Sequence, residues 1–124
     1  KRKAGNKPVR EQSMHAGILA DMAIAIEASR AYNIQVARMF DKPEQFGPWR
    51  EPYLSGKASG AKVMSSDTAI TVLNKAMELC GAVAFTQQMP LEKYLRDVKI
   101  IQLWEGGSQL ARLDMARSYY PFQT

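Results

Sequence analysis

From Glu11 to Phe40 the chain carries no proline, and Ile18, Met22, Ala25, Ala28, Tyr32, Val36 and Phe40 recur at steps of three and four. Such steps line one side of a helix, because 3.6 residues complete a turn. The expectation is one long helix with Asp21, Glu27, Arg30 and Arg38 on its polar face, Glu27 and Arg30 being close enough to pair weakly. The next stretch, Asp41–Gly56, reads DKPEQFGPWREPYLSG. Its three prolines and two glycines predict an ordered loop, packed through Phe46, Trp49 and Tyr53. A second long helix is expected from about Lys57 to Leu79, with Val63, Ile70, Leu73 and Met77 on one face and Ala69, Val72, Ala76 and Cys80 beside them. Gly81 ends it where a left-handed residue is commonly required.

Pro90 suits the first position of a short helix reaching about Ile101, and the EGG turn at Glu105–Gly107 separates it from a last helix, Ser108 to about Tyr119. No alternating strand pattern competes. The fold class is therefore all-α, an antiparallel up-down helical bundle.

The 124 residues suffice for one domain, and no apolar run approaches the roughly 20 residues of a membrane span, nor is a signal peptide visible. No membrane partner is expected. The single cysteine, Cys80, can form no internal disulfide and no cysteine zinc site, which suits a reducing, cytoplasmic setting and no metal. A net charge of +5 raises nucleic acid as a partner, but the basic residues are interleaved with Asp and Glu, and only the first ten residues are lopsided. No nucleic-acid partner is expected; a solvated surface explains the charge. The chain opens Lys-Arg-Lys without Met, as an excised piece of a longer protein would.

Two stretches carry a family likeness. ADMAIAIE at Ala20–Glu27, and more strongly MPLEKYLRDVKIIQLWEGGSQLARLDMAR at Met89–Arg117, resemble the C-terminal helical domain of the acyl-CoA dehydrogenases, whose pattern is close to YPVEKLMRDAKI followed by IYEGTSEIQRLVIAR. The correspondence runs without gaps from Arg2 to about Asp41 and from Lys57 to Arg117, with only the loop at 41–56 longer. It implies that residues 1–124 are a partial C-terminal domain of four-helix-bundle type, beginning after the family's first bundle helix. A bundle lacking one helix exposes an apolar stripe, so self-association as a dimer or tetramer is expected. The resemblance also implies FAD as cofactor, acyl-CoA as substrate and electron-transfer flavoprotein as redox partner.

The family reaction is α,β-dehydrogenation of an acyl-CoA thioester, and the resemblance gives Glu105 the part of the base that removes the α-proton. Burial beside an acyl chain would raise the pKa of such a carboxylate and strengthen it as a base. The Glu105 N–H, with a flavin ribityl hydroxyl, would stabilise the thioester oxygen as it becomes enolate-like. Gly106 and Gly107 would let backbone approach a ligand without a Cβ in the way, Gly106 against the substrate. On the residues alone a carboxylate ahead of a helix has a simpler explanation, a macrodipole contact of a few tenths of a kcal/mol.

The family's FAD contacts map onto Arg2, Gly81, Gly107, Ser108 and Gln109, but several neighbours depart from the pattern. The aromatic residue three beyond Arg2 is Gly5, and the usual Gln further on is Ser13. A Gln and a Gly-Gly-x-Gly run across the subunit interface are here Glu78 and Gly81-Ala82-Val83-Ala84, and the Thr of the EGT turn is Gly107. A carboxylate near a pyrophosphate is unfavourable, and Ala82 and Ala84 carry Cβ atoms where glycine would allow close approach. Two alternatives stand beside the dehydrogenase: a flavin oxidase or monooxygenase of the superfamily, and a non-catalytic helical subunit completing a partner's FAD site. His15 reads as a surface or packed imidazole, Cys80 as a small buried hydrophobe, Arg96 and Asp97 as a helix-anchoring ion pair, Trp104 as a pocket wall and the methionines as core filling.

Overall fold

The computed structural model describes residues 3–4, 7–8 and 11–120. Two strands, β1 (Lys3–Ala4) and β2 (Lys7–Pro8), pair antiparallel as a minimal hairpin that no alternating pattern announced. Five helices follow: α1 (Ser13–Phe40), α2 (Pro43–Phe46), α3 (Pro52–Cys80), α4 (Leu91–Leu103) and α5 (Gly107–Arg117), with a 3₁₀ segment, Gly81–Phe85, after α3. The class is all-α, an antiparallel helical bundle.

The buried seam of α1 runs through Met22, Ala25, Ser29, Tyr32, Val36 and Met39, of which Ser29, Val36 and Met39 are fully buried. This corrects the stripe expected through Ala28 and Phe40, both exposed. The observed steps alternate three and four, close to the roughly 3.5-residue repeat that keeps one seam against a partner helix. Polar pairs tie the same seam. Asn33 Nδ2 donates to Ser65 Oγ at 2.7 Å, and Lys75 Nζ meets Asp21 Oδ2 at 2.7 Å. Glu27 and Arg30 form no pair among the described residues.

The loop is shorter than expected, ending at Glu51. Pro52 occupies the start of α3, where its missing N–H leaves no helical bond unmade and its fixed φ is already helical. The proline that reads as a breaker thus begins a helix. The loop's aromatics do not bury together either: Trp49 is exposed with the Arg50 guanidinium 4.8 Å from its ring centre, and Tyr53 belongs to α3. Within α3, Lys57 is buried, its ammonium donating to Tyr119 Oη at 2.7 Å and lying 5.0 Å from the centre of the Tyr53 ring.

Helix α3 is the packing centre, touched by α1, α4 and α5. Residues 52–85 have the length, and over their most apolar stretch a mean hydropathy of 1.2, of a membrane-crossing helix, a feature the absence of a long uninterrupted apolar run had hidden. Gln102 of α4 reaches Asp67, while Ser59 meets Asp114 of α5 and Gly56 meets Ser118 just beyond its end. Leu95, earlier in α4, lies beside Asn74 and Met77. Helices α4 and α5 therefore run end to end along α3 in the direction opposite to it, and the turn between them sits opposite the middle of α3.

Smaller expectations are also corrected. Arg96 and Asp97 do not pair with each other, since adjacent helical residues point apart. Arg96 Nε donates to Glu92 Oε2 at 2.9 Å, and Lys93 pairs with Asp97. The hydrogen bond and charge of Glu92 hold the exposed Arg96 guanidinium above its ordinary pKa. Cys80 is half-buried rather than buried, and Met14 is exposed while Met39 and Met77 fill the core. Leu19, Ile24, Ile26 and Ile34 of α1 are exposed.

Candidate active site

The α4–α5 turn begins at Trp104, whose backbone leaves helix geometry, and continues through three residues of positive φ: Glu105 at 51°, Gly106 at 84° and Gly107 at 71°. Glycine takes this conformation freely, whereas a residue with a Cβ adopts it at roughly 1–2 kcal/mol. Among the described residues Glu105 is the only non-glycine with positive φ. A Cβ on Gly106 would also stand 2.5 Å from Leu110 Cδ1, so the Leu110 side chain would have to move to admit one.

The carboxylate does not cap the helix it precedes. The N-cap of α5 is Gly106, with no side-chain capping bond. Glu105 is exposed, and among the described residues its side chain has no ion pair or hydrogen-bond partner. The Glu105 and Gly106 N–H groups donate to no backbone carbonyl among the described residues. The burial expected to strengthen Glu105 as a base is not supplied by this chain.

Around this free carboxylate the turn is braced. Lys62 Nζ donates to the Trp104 carbonyl at 2.7 Å, and Gly107 N–H closes onto the same carbonyl at 2.9 Å. Gln102 Nε2 donates to Asp67 Oδ1 at 2.7 Å, and Arg112 pairs with Asp67 Oδ2. Ser108 Oγ donates to the Gln102 carbonyl at 3.3 Å. None of these anchors on α3 stood out in the sequence, where Lys62 and Asp67 look like ordinary surface charges on a helix.

Two cavities flank the brace and share Asp67 and Arg112. One, of about 520 Å³, is polar and bordered by Lys99, Gln102, Leu103 and the Gly106–Gln109 backbone. The other, of about 510 Å³, is an apolar groove among α1, α3 and α5 bordered by Tyr32, Gly60, Val63, Met64 and Met115. Gly106, Gly107, Ser108 and Gln109 thus border one cavity. Trp104 does not border this cavity, whereas its neighbour Leu103 does. Gly81 lies in a separate cavity of about 470 Å³ with Glu78, Ala82 and Phe85. Arg2 and Gly5 lie outside the described residues, and His15 is packed with its Nδ1 buried and unpartnered.

With this geometry established, comparison with known proteins places it. Residues 1–120 match the family described as acyl-CoA dehydrogenase, C-terminal domain. The chain belongs to the acyl-CoA dehydrogenase family. Over 111 residues, 90% of this chain and 27% of the relative, it is 33% identical to a cyclohexane-1-carbonyl-CoA dehydrogenase of Syntrophus aciditrophicus (strain SB). It is 32% identical over 98 residues, 79% of this chain and 22% of the relative, to the mitochondrial short-chain specific acyl-CoA dehydrogenase of Bos taurus. A solved chain described as electron transferring flavoprotein of Acidaminococcus fermentans superposes with a TM-score of 0.82 at 28% identity, covering 98% of this chain and 30% of that one. The acyl-CoA dehydrogenase domain seen here therefore spans 22–30% of the length of these relatives.

The polar donors fit an anionic nucleotide cofactor unevenly. Lys99, Ser108, Gln109 and Arg112 are donors of the kind that suit phosphate or ribose oxygens, although the Asp67 carboxylate borders the same cavity and holds Arg112. The Gly81 cavity does not suit such oxygens: the exposed Glu78 carboxylate and the Ala82 Cβ border it.

Proposed function

We propose that this domain serves an FAD-dependent acyl-CoA dehydrogenase in which Glu105 removes the α-proton of an acyl-CoA thioester. One observation carries the reading: Glu105 is held in a conformation that favours glycine, yet among the described residues it caps nothing and pairs with nothing. Strain of this kind persists where the surroundings over-determine it, and it clusters at functional sites. A capping role would leave a side-chain hydrogen bond to the first turn of α5, and among the described residues Glu105 makes none.

In this reading the Glu105 carboxylate takes the α-proton, and the Glu105 N–H donates to the thioester oxygen on which negative charge develops. Gly106 keeps that approach open. Bound FAD would supply the acceptor for the hydride leaving the β-carbon, with Gly107, Ser108, Gln109 and Arg112 on the side of the turn that suits its oxygens. Desolvation of Glu105 must come from further parts of the protein or a second subunit, and the exposed apolar residues of α1 support assembly as a dimer or tetramer. In isolation this segment is expected to be inactive. An electron-transfer flavoprotein as the acceptor of the electrons, and a cytoplasmic setting suited to the free thiol of Cys80, belong to the same reading.

The test is Glu105→Gln in the complete protein. The expected result is retained flavin absorbance with loss of α-proton exchange between acyl-CoA and deuterated water. Undiminished exchange rejects the assignment. Absence of flavin in the purified parent protein, with activity restored by a co-expressed partner, would favour the non-catalytic subunit instead.

A further inference from the structure

Resting on the reading of Glu105 as the base, we infer that Asp67 is its positioning residue. The turn that carries Glu105 joins two short helices through three successive residues of positive φ. One carboxylate on α3 holds both flanks. Asp67 Oδ1 accepts from Gln102 Nε2 at 2.7 Å in the last turn of α4, and Oδ2 accepts from Arg112 in the second turn of α5. Lys62, five residues earlier on the same helix, fixes the Trp104 carbonyl in between. The contacts join residues 35, 42 and 45 positions apart, so the turn is referenced to the centre of the bundle rather than to its own neighbours.

This bracing is worth little as stability. The Asp67 and Arg112 side chains are 39% and 46% exposed, and a half-exposed ion pair contributes weakly to folding. Its effect falls on geometry. A base must meet its proton within hydrogen-bond reach, and a shift of about 1 Å can lower a rate by about 10²-fold. Asp67 itself touches neither the proton nor the thioester; it acts through the turn.

The experiment compares the parent, Asp67→Ala, Asp67→Asn and Glu105→Gln in the complete flavin-loaded protein. For Asp67→Ala the expected result is an α-proton exchange rate lowered by about 10²-fold with KM within about twofold, together with faster amide hydrogen exchange across residues 103–108. Asp67→Asn, which keeps an oxygen for Gln102 but loses the charge for Arg112, should fall between the two. Exchange within twofold of the parent in Asp67→Ala, with unchanged amide protection, overturns the inference while Glu105→Gln still reports on the base. If Glu105→Gln leaves exchange undiminished, the base reading fails and this inference with it. Should Asp67→Ala not fold, Gln102→Leu, which leaves α3 and the Asp67–Arg112 pair in place, decides: a lowered exchange rate supports the brace and an unaltered one overturns it.

Discussion

Gly56 of α3 faces Ser118 beyond the end of α5 so closely that a Cβ on Gly56 would stand 2.5 Å from the Ser118 Cβ and 2.7 Å from the Asp114 carbonyl oxygen. Two backbones meet there, and neither can yield as a side-chain tip can. Gly56→Ala is expected to lower stability by about 1–2 kcal/mol, the overpacking exceeding the roughly 1 kcal/mol that Ala gains over Gly inside a helix. Urea unfolding of the complete protein checks this. A stability equal to or above the parent would contradict the close approach of α3 and α5.

One turn further along, Gly60 makes an instructive contrast. A Cβ there would meet Tyr32 Oη at 2.8 Å and Met115 Sδ at 2.9 Å, both at the ends of side chains. Methionine adapts easily. Gly60→Ala should therefore change stability by less than about 0.5 kcal/mol, helix propensity offsetting the displacement. A loss as large as that of Gly56→Ala would show that the groove at Gly60 is rigid.

Glu105 should trade stability against activity. Glu105→Gly relieves a Cβ held at φ 51° and is expected to raise stability by about 0.5–1 kcal/mol while abolishing α-proton exchange. Glu105→Gln, which keeps the Cβ, should leave the melting temperature unchanged. Differential scanning calorimetry beside the exchange assay separates the two effects.

Gly107 stands where the family has Thr, and its φ of 71° with a would-be Cβ 3.3 Å from the Gln102 carbonyl makes a β-branched residue unfavourable there. Gly107→Thr is expected to destabilise the domain by about 1–2 kcal/mol. A neutral or stabilising result in the same calorimetric scan would mean that the turn readily takes another backbone conformation.

The buried Lys57 gives a final check on α3. Tyr119→Phe removes the oxygen that accepts its ammonium at 2.7 Å but leaves the ring 4.0 Å away, and should lower stability by about 1 kcal/mol. Tyr119→Leu removes ring and hydroxyl together and should lower it by about 2 kcal/mol. Equal urea midpoints for the two variants would assign the whole contact to the hydroxyl.

What the sequence by itself determined is what neighbouring residues decide. The two long helices, the end of α3 at Gly81 with φ 70° and the glycine turn before α5 all follow from residues within a few positions of one another. Such local terms act before any packing. The resemblance located Glu105 for the same reason, through an unbroken run of matched residues.

Packing decided the rest. Whether Ala28 or Ser29, Phe40 or Met39, faced inward depended on the 3.5-residue seam that α3 imposes on α1, and a period of three and four does not choose between adjacent residues. Pro52 became a helix start because a proline is neutral there and disruptive only further in. Lys62 and Asp67 became anchors of the candidate site through residues some forty positions away. Separations of that length close only in three dimensions, because a charged side chain carries no mark of the partner to which the fold will bring it.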